Sequence, residues 1–172
     1  MGVLNEDYEI HTHSFIELVI ILGGQAVHVV SNREYELNEG DVFVVSGHLS
    51  HGFRNPNNLQ LFNLMFDMSI FRPFYDDFKK LSGFQSLFII EPFYRKHHEF
   101  KSRLTLNNDE LKYVATVLNL ILKEFNEKRN DSGLVLKMHF FSLVAYLCCR
   151  YTGDRNAFTR DLFYLADTIS YM

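Results

Sequence analysis

The sequence predicts a mainly β protein with an α-helical tail: a small sandwich or barrel of short strands followed by an antiparallel pair of helices. Three observations carry this reading. Short β-branched and aromatic runs recur up to Phe66, separated by glycine- and asparagine-rich turns. From Asn108 the apolar period lengthens to three and four, the helical repeat. With 172 residues, 47% of them hydrophobic and 22% charged, the chain can bury a core without covalent staples. Phe supplies most of the large filling, with 17 copies against no Trp.

The elements follow in order. Phe15 to Leu22 reads as a strand closed by a Gly23-Gly24 turn. Gln25 to Ser31 is a second strand, Asn32-Arg33 a tight hairpin, and Tyr35 to Leu37 the return. Asn38-Glu39-Gly40-Asp41 is another turn and Val42 to Val45 a short buried strand. Gly47 to Pro56 reads as a loop and Leu59 to Phe66 as a further strand. Residues 70 to 100 mix aromatics and charges without a clean period, and Pro73 and Pro92 interrupt them. They are expected to form loops and short helices, with a strand at Leu87 to Ile90.

Asn108-Asp109-Glu110 then opens a helix with Leu111, Val114, Val117, Leu118, Ile121, Leu122 and Phe125 on one stripe. Asn130 to Gly133 ends it. A second helix runs from Leu134 to Tyr151, with Leu136, Phe140, Leu143, Val144 and Leu147 inward. Phe141 and Tyr146 widen that face beyond what one partner helix needs, which predicts association with a second copy. Thr159-Arg160-Asp161 begins a third amphipathic helix, with Leu162, Leu165, Ala166 and Ile169. It is still in mid-pattern at Met172, so it is expected to continue in a longer protein.

Charge narrows the partners. The net charge is −4 with His neutral, and no Lys/Arg stripe runs along any predicted element. Gripping a duplex requires such a basic face, so this chain by itself is not expected to hold DNA. A polybasic membrane anchor is likewise missing, and the apolar run Leu18 to Leu22 is far too short to span a bilayer. Cys148 and Cys149 are adjacent. Neighbouring Cα atoms lie about 3.8 Å apart, closer than disulfide geometry prefers. They read as reduced thiols of a cytoplasmic protein, and the N-terminus has none of the features of a secretory signal.

One constellation carries chemistry. His11, His13 and Glu17, followed by Gly24, are spaced His-x-His-x3-Glu-x6-Gly; Gly40, His51 and Asn55 are spaced Gly-x10-His-x3-Asn. On a regular strand, residues two apart share a face, so His11, His13, Phe15, Glu17, Val19 and Ile21 would all point one way. A carboxylate among Phe15, Val19 and Ile21 needs a partner, and imidazoles or a metal supply one. Three histidines and one carboxylate suit Fe, Ni, Mn, Cu or Zn.

These spacings resemble the two cupin motifs over His11 to Asn55. Ser46 stands where that family usually has Pro and His48 where it usually has Gly. The resemblance implies a cupin-like double-stranded β-barrel, or jelly roll, with His11, His13, Glu17 and His51 as ligands of a divalent transition metal (Ni, Fe, Mn or Zn). The longer strings are more specific. His13 to Gly24, Tyr35 to Val45, and Ser50-His51-Gly52-Phe53 together resemble the sensor domain of AraC-family transcription regulators. The tail from Asp161 to Met172 is similar to the helix that leads into that family's DNA-binding half.

The resemblance implies three parts: an effector-binding barrel over residues 1–105, a helical dimerisation segment over 106–157, and the start of a linker helix over 158–172. It implies a homodimer that binds a small polar effector such as a sugar and reaches DNA only through a domain outside this chain. The pocket is expected to be lined by His11, His13, Glu17, Ser46, His51, Phe53 and Arg54. A metal-dependent cupin enzyme, of the dioxygenase or isomerase type, is the alternative. The helical tail weighs against it, because an isolated enzyme of that fold does not need one. Arg33 reads as a hairpin-tip residue, His48 as a loop residue, His97-His98 as solvated and His139 as part of a helix interface. The facing of His28, and of Asn63 against Phe62, is left open.

Overall fold

A computed structural model of the chain describes residues 2–92, 104–127 and 132–151. Among the described residues, seven strands form one antiparallel sheet: β1 (Gly2–Leu4), β2 (Tyr8–His11), β3 (Ile16–Val30), β4 (Arg33–Asn38), β5 (Asp41–Val45), β6 (His51–Phe66) and β7 (Leu104–Thr105). The hydrogen-bonded path runs β1-β6-β3-β5-β7, with β2 also on β6 and β4 also on β3, so the ladder is open rather than a closed ring. This is the expected mixed, cupin-like architecture. Its backbone is the long β3–β6 pair, which runs from Ile16 opposite Phe66 to Val30 opposite His51.

The two long strands correct two expectations. Gly23-Gly24 is not a turn. β3 passes through it, and its register against β6 shifts between Ile21 and Val27. Gly47 to Pro56 is only partly a loop, because β6 begins at His51. The signals that read as chain reversal instead mark bulges. Gly24 (φ +74°) lies against Asn58 (φ +47°) across the pair, with Asn55 (φ +49°) further along β6, and all three are left-handed. The bulge flips the side-chain alternation. Val19 and Ile21 point into the sheet's inner core before it, Ala26 and Val30 after it.

A Cβ on Gly24 would lie 2.1 Å from the Asn58 carbonyl oxygen. Gly24→Ala is therefore expected to cost at least about 2 kcal/mol, from left-handed strain plus overpacking. A urea titration would measure it, and a loss below about 0.5 kcal/mol would show that the bulge can relax.

The sheet has two apolar faces. The inner one gathers Val19, Ile21, Ala26, Val30, Leu37, Phe43, Val45, Leu49, Phe53, Leu59 and Leu61. The outer one, with Leu18, Ile20, Val42, Val44 and Phe62, is covered by helices. A 3-10 segment over Met68–Phe74 leads into α1 (Tyr75–Phe78) and α2 (Ser82–Gln85). The expected strand at Leu87 to Ile90 is instead helical, continuing over Ser86–Ile90. Four apolar residues in a row suit a buried helical turn as well as a strand, and Leu87 and Phe88 are both buried under the outer face.

Helices α3 (Asn108–Glu127) and α4 (Ser132–Arg150) complete that layer. The cap of α3 is Asn107. Its Oδ1 accepts from the N–H groups of Asp109 and Glu110, both at 3.0 Å, while Glu110 Oε2 accepts from Asn107 N–H at 3.0 Å. Phe140, Leu143, Val144 and Leu147 of α4, expected inward, are buried in the core of the outer face, and Phe141 and Tyr146, expected to widen that face for association, are partly buried against the same core. By length and composition α4 could cross a membrane. Its Phe140, Leu143, Val144, Leu147 and Cys148 side chains are buried in this core. Cys148 is buried and Cys149 exposed. Burial pushes the Cys148 thiol well up, in keeping with a passive packing residue. The third helix expected from Thr159 and the His97-His98 stretch lie outside the described residues.

Candidate ligand and metal site

A shared face from His11 to Ile21 requires one regular strand, and that strand does not exist. β2 ends at His11 and β3 starts at Ile16. The side chains converge by other means. β2 pairs with β6 so that His11 lies opposite His51. Residues 12–15 are tied to the 46–50 loop: His48 N–H donates to the His13 carbonyl at 2.6 Å, and a Cβ on Gly47 would meet the Ser14 carbonyl oxygen at 2.6 Å. His48 has φ +67°, which explains why a glycine would suit that position, and its side chain is exposed. Glu17 sits opposite both Val45 and Met65, on the inner face of β3.

As a result, the ligand atoms of His11, His13, Glu17 and His51 all lie within 4.8 Å of one another. His13 Nε2 is 2.9 Å from His51 Nε2 and 3.5 Å from Glu17 Oε1; His51 Nε2 is 3.8 Å from Glu17 Oε2. Two rings are held from behind by backbone. His11 Nδ1–H donates to the Glu9 carbonyl at 3.0 Å and His13 Nδ1–H to the Phe15 carbonyl at 2.8 Å. A carbonyl only accepts, so each ring, when neutral, presents Nε2 as a lone pair. Phe15 also stacks on His13 at 4.1 Å with the ring planes 5° apart.

This donor set fits a divalent transition metal. Nitrogens about 2.1 Å from one ion and at roughly right angles to each other lie about 3 Å apart, close to the His13–His51 separation. Glu17 is 5% exposed. Its carboxylate faces imidazole nitrogens that, in their neutral forms, have at most one proton to offer it. A cation between these groups would satisfy all four.

His51 titrates unusually. Burial first, then the neighbouring His11 and His13, lower its pKa from 6.5 to about 4. The unfolded chain therefore binds the extra proton more readily than the folded one between those values. The stability this represents is complete above pH 6.5 and is lost as pH falls toward 4. The metal-free protein is expected to be about 2 kcal/mol less stable at pH 5 than at pH 7 through this group. Urea midpoints at the two pH values would check this, with His51→Asn as the control that flattens the difference.

The remaining sequence candidates divide. Phe53 is buried and stacks on His28 at 5.0 Å, so it fills the inner core beside the cluster. Ser46 follows Val45, the β5 residue opposite Glu17; it is half-buried and its carbonyl accepts from Leu49 N–H at 3.4 Å. Arg54 is not brought to the cluster. It lies on the outside of β6, paired with Glu34 at 3.0 Å and half exposed, because the alternation that turns Phe53 inward turns Arg54 out.

Two residues that were left open belong to the inner side. His28 is fully buried, with Nε2 3.4 Å from His51 Nδ1. Asn63 lies opposite Val19, and its Oδ1 is buried without a hydrogen-bond partner among the described residues. The bulge at Gly24 hid His28, since two-residue counting from Glu17 puts it on the wrong face.

Comparison with known proteins follows the same line. The family described as AraC-like ligand binding domain matches residues 3–110. The chain is 26% identical over 155 residues to the HTH-type transcriptional activator RhaR of Mannheimia succiniciproducens, covering 90% of this chain and 51% of that protein. It is 38% identical over 56 residues to the RhaR activator of Escherichia coli K12, covering 33% of this chain and 20% of that one. With the crystal structure of the AraC-like transcriptional activator CuxR the TM-score is 0.49 at 13% identity, over 92% of this chain and 52% of that one. The chain thus spans about half the length of the Mannheimia relative. The matched relatives are named as transcriptional activators, not as enzymes.

Proposed function

Because the chain belongs to the AraC-like ligand-binding domain family, we propose that it is the effector-sensing part of a cytoplasmic transcription regulator, taking a small polar molecule such as a sugar against the inner face of its cupin-like sheet. The observation that carries this reading is the placement of His11, His13, Glu17 and His51 together on the side of the sheet that holds the inner apolar core. A few convergent polar groups on an apolar wall are what orients a hydroxylated ligand. The buried Asn63 Oδ1, without a hydrogen-bond partner among the described residues, adds an acceptor on the same face.

The same four residues hold a divalent transition metal in this proposal. When bound, the ion supplies a Lewis-acidic anchor for effector oxygens. The chain's own part is to present three imidazole nitrogens and one carboxylate in fixed orientation, with the Glu9 and Phe15 carbonyls locking two of the rings.

Output requires a second copy and a DNA-binding domain. The helical pair leaves Tyr113, Leu120 and Phe125 of α3 and Leu134, Val135 and Met138 of α4 exposed. That apolar surface is the face proposed for dimerisation. Effector binding would shift the population between two arrangements of the barrel and these helices.

The test is isothermal titration of the chain with a panel of aldoses, ketoses and uronic acids, run metal-free and with Zn²⁺ or Ni²⁺, alongside sedimentation. One sugar class is expected to bind, to raise Tm and to do so more tightly with metal, on a dimeric protein. A panel without any binder would overturn the sugar reading, and a monomer at high concentration would overturn the dimer.

A further inference from the structure

We infer that His28 is the positioning residue that holds His51 in its metal-binding form; this rests on the metal reading given above. His28 lies outside both spacing motifs. It comes from the far half of β3, beyond the bulge, and is completely buried between Phe43 (ring centroids 4.8 Å apart) and Phe53 (5.0 Å).

The inference follows from counting protons on ring nitrogens. A neutral imidazole carries one N–H, so a ring that offers Nε2 to a metal carries its proton on Nδ1 and needs an acceptor there. His11 and His13 have one each, the carbonyls of Glu9 and Phe15. For His51, the described contact to Nδ1 is His28 Nε2 at 3.4 Å. In the metal-bound form, His51 Nδ1–H therefore donates to His28 Nε2, which does for this ring what the two carbonyls do for the others.

The metal-free form reverses the chain of bonds. His13 Nε2 is a lone pair, so the 2.9 Å contact requires His51 Nε2–H as the donor. His51 Nδ1 then becomes the acceptor, and His28 Nε2–H gives to it. Two histidines change tautomer together, with no net proton gained or lost. A carbonyl in place of His28 could serve only the bound form; an imidazole serves both. The buried pair thus adapts the inner core to either state of the site.

The experiment compares Co²⁺ affinity and the visible Co²⁺ spectrum of the wild-type chain with His28→Leu and His28→Gln, using urea titrations to confirm that each metal-free variant folds. Leu keeps the bulk but accepts no hydrogen bond. Gln places an amide near the position of Nε2 and can donate or accept. His28→Leu is expected to bind Co²⁺ about 10- to 100-fold more weakly with a shifted spectrum, the usual loss for an outer partner. His28→Gln is expected to recover to within a few-fold. If the Leu variant does not fold, His28→Phe takes its place and keeps the stack between Phe43 and Phe53. Wild-type affinity in the Leu or Phe variant would overturn the role of His28, as would an equal loss in the Gln variant. A wild-type chain that takes up no Co²⁺, Ni²⁺ or Zn²⁺ would overturn the metal reading itself, and this inference with it.

Discussion

Phe71→Ala is expected to destabilise the chain by about 3–5 kcal/mol, the range for deleting a fully buried aromatic ring. Phe71 is 0% exposed, and its ring lies 5.0 Å from Phe78, 5.1 Å from Phe84 and 5.8 Å from both Phe66 and Phe140. It joins the short helices after β6, the end of β6 itself and helix α4. Removing it opens a cavity that several elements would have to collapse into at once, and aromatic edge contacts are lost with the buried area. For a domain of this size the loss corresponds to a Tm drop of roughly 10 °C or more. Phe74, three residues on, is 41% exposed. Its alanine variant should cost less than about 1 kcal/mol. Thermal and urea unfolding of the two variants would test the pair, and equal losses would show that the cluster is not centred on Phe71.

The second large effect separates stability from site chemistry. Glu17→Gln is expected to lower divalent-metal affinity by more than about 100-fold, above the usual loss for an outer partner, because it removes the only anionic ligand of the set. The same change should leave the metal-free fold as stable, or raise it by about 1 kcal/mol. A buried carboxylate bears a desolvation cost that a neutral amide of equal shape does not. Metal content after dialysis, and Tm measured with and without chelator, read the two effects independently. Wild-type metal uptake by Glu17→Gln would remove the carboxylate from the site. A large loss of metal-free stability would mean that Glu17 holds the fold together rather than a ligand.

The sequence by itself determined the fold class, the helix-forming stripes of α3 and α4, and the membership of the His/Glu cluster. Helical periodicity is a local signal. The spacing His-x-His-x3-Glu, with a distant histidine, is specific enough to pick four residues that the structure brings within 4.8 Å. The turn from Asn38 to Asp41 was legible for the same reason, since the left-handed backbone that Gly40 takes there (φ +90°) is a local demand that few residues meet.

Tertiary structure alone decided the rest. That β3 runs through Gly23-Gly24 as a bulge rather than turning depends on whether a partner strand is present along its whole length, and β6 provides one. The bulge shifts the inward alternation by one residue, so His28 enters the inner core behind His51, which no count from Glu17 predicts. Arg54 turns outward to Glu34 for the same reason of alternation along β6. Phe141 and Tyr146 pack in part against the chain's own core, and the aromatic run after Phe66 folds as helices around Phe71. An apolar side chain records only that it will be buried. What it is buried against is settled by which surfaces the long strands bring into reach.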